Sequence, residues 1–351
     1  MNYNVPVVSL LALALILPGC AGKKPSAPAP EPRDGENAVY YWKTRFDLDD
    51  SDMSFLKEND IKRIYLRYFD VDYEKNPVTL EEGIVPVGTV SFVSERPTGV
   101  EIVPTVFITV SALTYIRVHD LVRDAAGKMV QRLLNMSSYN ETGPVREVQL
   151  DCDWTESTQE TYFALCRAVR EVLKGENAIL SSTIRLHQLR LPAPPVDRGV
   201  LMLYNTGAMR DPSEKNSILD AGSVKLYLTG EPVRYALPLD FAYPTYSWGL
   251  WFRGNEFKGI LHRNDYSDGS RYADAGGEGS FRVSKEHMLE GHHLIPGDLI
   301  RLETSEMQAI RETASLVSAA FPGAHSNIIY HLDSENFRHY TQDEITDIYH
   351  Y

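Results

Sequence analysis

Short apolar segments alternate along the chain with longer amphipathic ones, and this alternation restricts the possible folds more than any other feature. Strand patterns occur at 38–46, 61–69, 101–110, 146–154, 177–186, 199–207, 233–241 and 327–333. Helical patterns lie at 50–60, 118–134, 158–173 and 305–321. Strands that alternate with helices predict a parallel sheet, and eight of them predict a (β/α)8 TIM-like barrel rather than an open sheet.

The pattern is irregular in three of the connections. Residues 71–100 carry no convincing helix after strand 2, and 187–199 are too short and too rich in proline for a full helix after strand 5. The connection after strand 7 is very long, and its segment 248–261, "WGLWFRGNEFKGIL", predicts a hairpin that turns at Gly254-Asn255. We therefore expect one barrel domain over residues 38–351 with a long insertion after strand 7.

The first residues predict export and a lipid anchor. The apolar run at 5–17 is shorter than the roughly 20 residues that span a bilayer, so residues 1–19 are typical of a secretory signal peptide. The "LPGC" that follows resembles the bacterial lipobox, which implies that Cys20 carries lipid such as palmitate. Residues 20–37 are rich in Pro and Ala and predict an extended tether. The expected location is the bacterial cell envelope, on the outer membrane.

Composition and missing motifs exclude several kinds of function. The net charge is −13 and the only basic cluster is Lys23-Lys24, so the chain lacks the basic face that nucleic acid requires. There is no GxSxG elbow, phosphate loop or dinucleotide glycine pattern, and we expect no cofactor.

Two polar segments and two thiols have ordinary structural interpretations. The segment "EHMLEGHH" at 286–293 lacks the HExxH spacing, and a solvated loop is favoured over a metal site; the Asp/Asn spacing of a calcium loop is also absent at 264–274. Cys152 and Cys166 are predicted to pack as free thiols between a strand and its helix, with a disulfide as the alternative.

The segment "VQLDCDWTE" at 148–156 is the strongest candidate for a site. Alternate residues of a strand share a face, so Gln149, Asp151 and Asp153 are expected to point toward the barrel axis. Functional residues of such barrels lie at the carboxyl ends of the strands. Two carboxyl groups close together in a buried site affect each other's pKa, as acid/base catalysis requires.

This segment resembles the fourth strand of glycoside hydrolase family 18, the chitinase-type barrels, which carries an Asp-x-x-Asp-x-Asp-x-Glu run. In that family the Glu protonates the leaving oxygen and the Asp before it steadies the acetamido group of the substrate. Asp151 and Asp153 match the two later Asp positions, whereas Val148 replaces the first Asp and Thr155 replaces the Glu. Glu156 stands one residue too late and would face the other way unless the strand bulges.

The chain also resembles a group of bacterial lipoprotein barrels that share a "QLDxD" fourth strand and a "YPTYSWG"-like segment, here 243–249. Asp240, expected near the end of strand 7, is the candidate second carboxylate, with a helix cap or a salt bridge as the alternative. Arg67 and Arg185 are candidate ion-pair partners for the central aspartates.

Aromatic residues supply candidate sugar contacts, because sugars present flat apolar faces to aromatic rings. The candidates lie at predicted strand ends or in the insertion: Tyr40, Trp42, Tyr204, Tyr243, Tyr246, Trp248 and Trp251. For Tyr40 and Trp42 a place in the core is an equal alternative. The sequence leaves two functions open: a tethered barrel that binds or hydrolyses a glycan, or a non-catalytic envelope protein whose barrel mouth binds glycan or protein partners.

Overall fold

Eight parallel strands close into a barrel in the computed structural model, which describes residues 35–229, 235–263 and 265–351. The strands are β1 (Ala38–Tyr41), β2 (Arg63–Lys75), β3 (Glu101–Ile108), β4 (Glu147–Asp151), β5 (Ile179–Ile184), β6 (Arg198–Met202), β7 (Leu239–Pro244) and β8 (Asn327–Tyr330). The barrel is closed because Val39 of β1 lies opposite both Ile64 of β2 and Ile329 of β8. The predicted (β/α)8 fold is confirmed.

Helices surround this barrel. They are α1 (Asp50–Glu58), α2 (Val110–Val118), α3 (Val122–Tyr139), α4 (Gln159–Leu173), α5 (Ala221–Leu228), α6 (Met307–Ala320), α7 (Ser334–Phe337) and α8 (Gln342–His350). In α4 the buried side chains Tyr162, Leu165, Cys166 and Val169 recur at helical spacing, so one face of this helix packs on the barrel. No helix in these described ranges is both long and apolar enough to span a bilayer.

The bounds of the predicted elements differ from those in the structure, most clearly at one helix and one strand. The helix predicted at 118–134 is α3, Val122–Tyr139, and it is preceded by a helix that was not predicted, α2; the two are separated where Asp120 adopts φ +53°. Strand 7, predicted at 233–241, is Leu239–Pro244. The observed strand 7 therefore begins six residues and ends three residues later than predicted.

The irregular connections after β2 and β5 are confirmed. The carboxyl end of β2 pairs in antiparallel orientation with Glu82–Val87, which makes a hairpin instead of a helix. A short 3-10 helix, Leu186–Arg190, follows β5. Cys152 and Cys166 are both buried free thiols, as predicted.

The long connection between β7 and β8 forms a second sheet, which we call the insertion sheet. Its five antiparallel strands are Glu256–Leu261, Ser247–Arg253, Leu299–Thr304, Ser280–Val283 and Tyr272–Asp274, in that spatial order. The first two are the predicted hairpin around Gly254-Asn255. Part of this sheet encloses a small apolar core of its own that includes Trp251 and Ile300.

The histidine-rich segment is a hairpin and not the loop that we predicted. His287–Leu289 pairs with His292–Leu294. The His293 ring bonds to Glu286 at 2.6 Å, and His287 bonds to the Tyr272 hydroxyl at 2.7 Å. Over the described ranges, no three His, Cys, Asp or Glu side chains are grouped so that they could hold a metal ion.

The predicted signal peptide, Cys20 and the part of the tether that precedes residue 35 lie outside the described residues. Gly35 donates its backbone N–H to the carbonyl of His325, just before β8. The chain therefore enters β1 at the end of the barrel where the parallel strands begin, which we call the barrel floor.

Candidate functional site

The carboxyl ends of the strands form the opposite end of the barrel, the barrel mouth, and Asp151 is the last residue of β4 there. Its side chain points into the barrel interior and is 3% exposed, and Thr183 of β5 donates a hydrogen bond to it at 2.6 Å. Gln149 points to the same side, where it accepts a 2.8 Å hydrogen bond from Tyr40. The predicted inward face of β4 is therefore correct for these two residues.

Burial sets the protonation of Asp151. It raises the pKa of the carboxyl to about 6, against the opposing effects of the Arg185 guanidinium and the Thr183 hydrogen bond. A carboxyl group with this pKa exchanges its proton close to neutral pH, which is a property of acid/base residues. Asp151 combines this perturbation with a position among the strand ends at the mouth, and it is therefore the chemical centre of the candidate site.

Two arginines flank Asp151, and each is held by a carboxylate. Arg185 donates from Nε to Asp153 at 2.6 Å, and Arg67 donates from Nε to Asp70 at 2.7 Å. The Asp153 side chain is half-exposed at the rim because β4 ends before it. Arg185 was expected to pair with a central aspartate and does so with Asp153, whereas Arg67 forms its pair with Asp70.

Aromatic rings line the mouth around Asp151. Tyr330, the last residue of β8, stacks on Tyr204 at a centroid distance of 4.5 Å. It also lies 5.6 Å from Tyr40 and 6.1 Å from Trp42. Tyr246 lies 5.7 Å from Tyr330 and donates its hydroxyl to Asn205 at 2.6 Å.

These rings differ in how much of them solvent reaches. Trp42 and Tyr330 are half-buried, whereas Tyr40, Tyr204 and Tyr246 are buried. Trp248 is also buried and contacts Tyr246 at 5.2 Å. The structure therefore brings together Tyr40, Trp42, Tyr204, Tyr246 and Trp248, all of them predicted candidates, and Trp42 and Tyr330 provide the accessible aromatic surface.

Two of the predicted aromatic residues lie elsewhere. Tyr243 belongs to β7, and it alternates with the inward-facing residues of that strand. Like Phe241, which packs on Phe321 of the surrounding layer, it faces the helices. Trp251 belongs to the separate apolar core of the insertion sheet.

Asp240 lies at the barrel floor and not at the mouth, because β7 begins one residue before it. Its carboxylate accepts a 2.7 Å hydrogen bond from the backbone N–H of Ser326 and lies 3.5 Å from Arg198. Burial raises its pKa to about 6, opposed by Arg198. The salt-bridge alternative describes its surroundings, and its expected position near the end of strand 7 is wrong.

Residues 154–156 complete the comparison with the chitinase-type strand. Trp154 is fully buried and packs against Tyr162 and Phe163 of α4. Thr155 is exposed and its hydroxyl lies 2.9 Å from that of Ser157, so the family's acid position holds a hydroxyl group. Glu156 is exposed in the turn before α4, and the strand does not extend far enough to bulge and turn it inward.

Sequence reasoning missed several residues of the site. Tyr330 lies inside the predicted eighth strand, 327–333, and only the structure shows it as the last residue of that strand, where functional side chains lie. Thr183 required the register of β4 against β5. Glu303, which accepts the indole N–H of Trp248 at 2.7 Å, had no signal in the sequence, because its role depends on how the insertion folds.

The barrel fold is similar to that of a solved chitinase. No protein-family model and no curated protein sequence matches the chain. A solved chitinase from Chromobacterium violaceum ATCC 12472 is similar over 90% of this chain and 98% of its own, with a TM-score of 0.52 and 11% identity. At this identity the similarity shows the fold alone.

Other solved structures are similar at lower scores. The spore cortex-lytic enzyme SleL of Bacillus megaterium QM B1551 has a TM-score of 0.49 and 13% identity, covering 86% of this chain and 71% of its own. Catalytic domain 2 of the Ostrinia furnacalis Group II chitinase, in complex with penta-N-acetylchitooctaose, has a TM-score of 0.47 and 10% identity, covering 89% and 94%.

Proposed function

We propose that the barrel mouth is a glycan-binding site. The observation that carries this proposal is the half-buried pair Trp42 and Tyr330, which stands at the strand ends beside the buried Asp151. A pyranose ring can stack on such a surface, while the neighbouring Arg67, Asp153 and Asn205 offer hydrogen bonds to its hydroxyl groups. Aromatic surface with a few fixed polar groups is the usual composition of a small-molecule site.

Binding without cleavage is the function that the geometry favours. The acid position of the chitinase-type strand holds Thr155, and a hydroxyl group does not donate a proton as a carboxylic acid does. Asp153 is engaged by Arg185, and Asp240 lies at the opposite end of the barrel. A protein with this mouth can retain the sugar contacts of a hydrolase while lacking its proton donor.

Hydrolysis is the second candidate, and one observation favours it. The pKa of Asp151 is raised to about 6 by burial, so this carboxyl group could act as an acid near neutral pH. Its 3% exposure argues against direct contact with a glycosidic oxygen. Turnover that disappears in Asp151→Asn and in Asp153→Asn would establish this candidate.

We also propose that Cys20 anchors the protein by lipid to the bacterial outer membrane. The "LPGC" segment after a short apolar run supports this, as does the Pro-rich stretch that follows. The tether would join the barrel at the floor, because Gly35 bonds beside the start of β8. The mouth would then face away from the membrane, toward polymers of the envelope or outside it.

The test is a titration of the lipid-free protein with chitooligosaccharides, soluble peptidoglycan fragments and cello-oligosaccharides. Trp42→Ala should weaken binding by about tenfold or more, because covering one large aromatic side chain contributes about 1.5–3 kcal/mol and ~1.4 kcal/mol corresponds to tenfold. Tyr139→Ala is the control, since this side chain is 88% exposed on α3 and lies outside the mouth.

The two candidates give different results in the same samples. Saturable binding without release of reducing ends, weakened in Trp42→Ala and unchanged in Tyr139→Ala, supports the glycan-binding proposal. Equal affinities for the wild type and Trp42→Ala would contradict it, as would the failure of every glycan to bind.

A further inference from the structure

The insertion sheet contains a carboxylate with no exposed surface, Glu303, and each of its oxygens has a defined donor. Arg301 donates from Nε to one oxygen at 2.7 Å. The other oxygen accepts the indole N–H of Trp248 at 2.7 Å and the Ser217 hydroxyl at 2.6 Å. A buried carboxylate with three donors is fixed in place, and it fixes its partners in turn.

Trp248 connects this carboxylate to the barrel mouth. It lies opposite Glu303 in the insertion sheet, and its ring contacts Tyr246 at 5.2 Å. Tyr246 in turn contacts Tyr204 at 6.2 Å and Tyr330 at 5.7 Å. An unbroken series of side-chain contacts therefore leads from Glu303 to the accessible ring of Tyr330.

Arg301 joins the insertion sheet to the loop after β6. Its guanidinium donates to the backbone carbonyls of Asp211 at 2.6 Å and Met209 at 3.3 Å, in the loop after β6. Asn216 of that loop donates to the carbonyl of Thr304 at 2.8 Å. The insertion sheet and the β6 loop are thus held together around Glu303.

We propose that Glu303 is a positioning residue of the glycan site: through Trp248 it holds the aromatic wall formed by Tyr246, Tyr204 and Tyr330. The inference rests on the proposed function, since it assigns the insertion a role in glycan binding. Glu303 has no exposed side-chain surface of its own, and it acts on the wall through the indole of Trp248. A shift of Trp248 would displace Tyr246 and so change the shape of the aromatic wall on which the sugar lies.

Asp298 provides a matched control within the same sheet. It accepts the indole N–H of Trp251 at 2.9 Å and two hydrogen bonds from Arg253, at 2.8 and 2.9 Å. Both sites therefore combine a buried carboxylate, an indole and a guanidinium. Trp251 belongs to the insertion's own core, and the ring contact found for it within the described residues is with His292, so these contacts do not connect the Asp298 site to the mouth.

The decisive variants are Glu303→Gln and Asp298→Asn. In Glu303→Gln the amide oxygen is expected to face Arg301, which leaves the amide NH2 against the indole N–H, a contact between two donors. Trp248 would lose its acceptor while the side chain keeps its size. A second pair of variants, Trp248→Phe and Trp251→Phe, removes each indole donor but preserves both ion pairs. This pair keeps the proposal testable if Glu303→Gln does not fold.

Two measurements are made on each variant. The four tryptophans are labelled with 5-fluorotryptophan, so that ¹⁹F NMR reports each indole separately. Glycan affinity is measured by titration with whichever oligosaccharide the wild type binds. We expect Glu303→Gln to move the Trp248 resonance and weaken binding about tenfold, by analogy with metal sites, where removing a supporting hydrogen bond lowers affinity by about 10–100-fold. Trp248→Phe should weaken binding similarly, whereas Asp298→Asn and Trp251→Phe should bind as the wild type does.

Three results would overturn the proposal. An unmoved Trp248 resonance in Glu303→Gln would show that Glu303 does not hold the indole. Unchanged affinity in folded Glu303→Gln and Trp248→Phe would show that the wall does not depend on it. Equal losses in the Asp298 and Glu303 variants would indicate a general effect of disturbing the sheet. A wild type that binds no glycan refutes the proposed function itself, and the ¹⁹F spectrum of Glu303→Gln then tests the contact with Trp248 separately.

Discussion

Replacing Asp151 by Asn should change the pH dependence of stability in a defined window. An aspartate in an unfolded chain has a pKa near 3.9, whereas burial raises that of Asp151 to about 6. Between these values the folded protein holds a proton that the unfolded chain has released. Stability is therefore full below about pH 4 and is lost as the pH rises through 6.

The magnitude follows from the difference between the two pKa values. About two pH units at ~1.4 kcal/mol per unit amount to ~3 kcal/mol of stability lost between pH 4 and pH 7. Asn is neutral throughout this range, and Thr183 can still donate its hydroxyl to the amide oxygen. Relative to the wild type, Asp151→Asn should gain about 3 kcal/mol over this window and then stay level.

Urea unfolding at pH values from 4 to 8 measures this difference directly. Subtracting the wild type from the variant removes the contribution of other titrating groups, including Asp240, whose pKa burial also raises to about 6. Thr183→Val should extend the window upward, because it removes a hydrogen bond that lowers the pKa of Asp151. A difference in stability that is the same at every pH would refute the reasoning.

Three further predictions concern the anchor, the core and the barrel floor. Cys20→Ser should move the protein from the membrane fraction to the soluble fraction, and a variant that still sediments with membranes would contradict the lipid anchor. Trp154→Ala should lower the free energy of unfolding by about 3–5 kcal/mol, because the fully buried ring leaves a cavity against α4; urea unfolding measures this loss. Asp240→Asn should leave glycan affinity unchanged in the titration, since this carboxyl group lies at the floor, and weakened binding would mean that the floor and the mouth are coupled.

The sequence alone determined the architecture, because the period of apolar residues is a local property. Strand and helix patterns alternate at the spacing of a (β/α)8 barrel. The very long connection after strand 7 interrupts this alternation and predicts the insertion. It also determined which face of β4 points inward, since side chains alternate along any strand. The sequence likewise shows that Thr155 replaces the acid Glu of the chitinase-type strand.

Strand ends were harder to predict, and the candidate site depends on them. Asp240 lies near the carboxyl end of the predicted strand 7, 233–241, but the observed strand begins only at Leu239, which places this residue at the floor. Tyr243 was assigned to a loop and lies within β7 instead. An error of a few residues at a strand end thus moves a side chain from one end of the barrel to the other.

Only the tertiary structure decided which side chains meet. Asp153 and Arg185 are 32 positions apart in the chain, and Trp248 and Glu303 are 55 apart. Pairing of β4 with β5 brings the first pair together, and folding of the insertion sheet brings the second. Closure of the barrel removes Asp151 from water and so raises its pKa, a change that no local pattern encodes, because it depends on side chains contributed by several strands around the barrel.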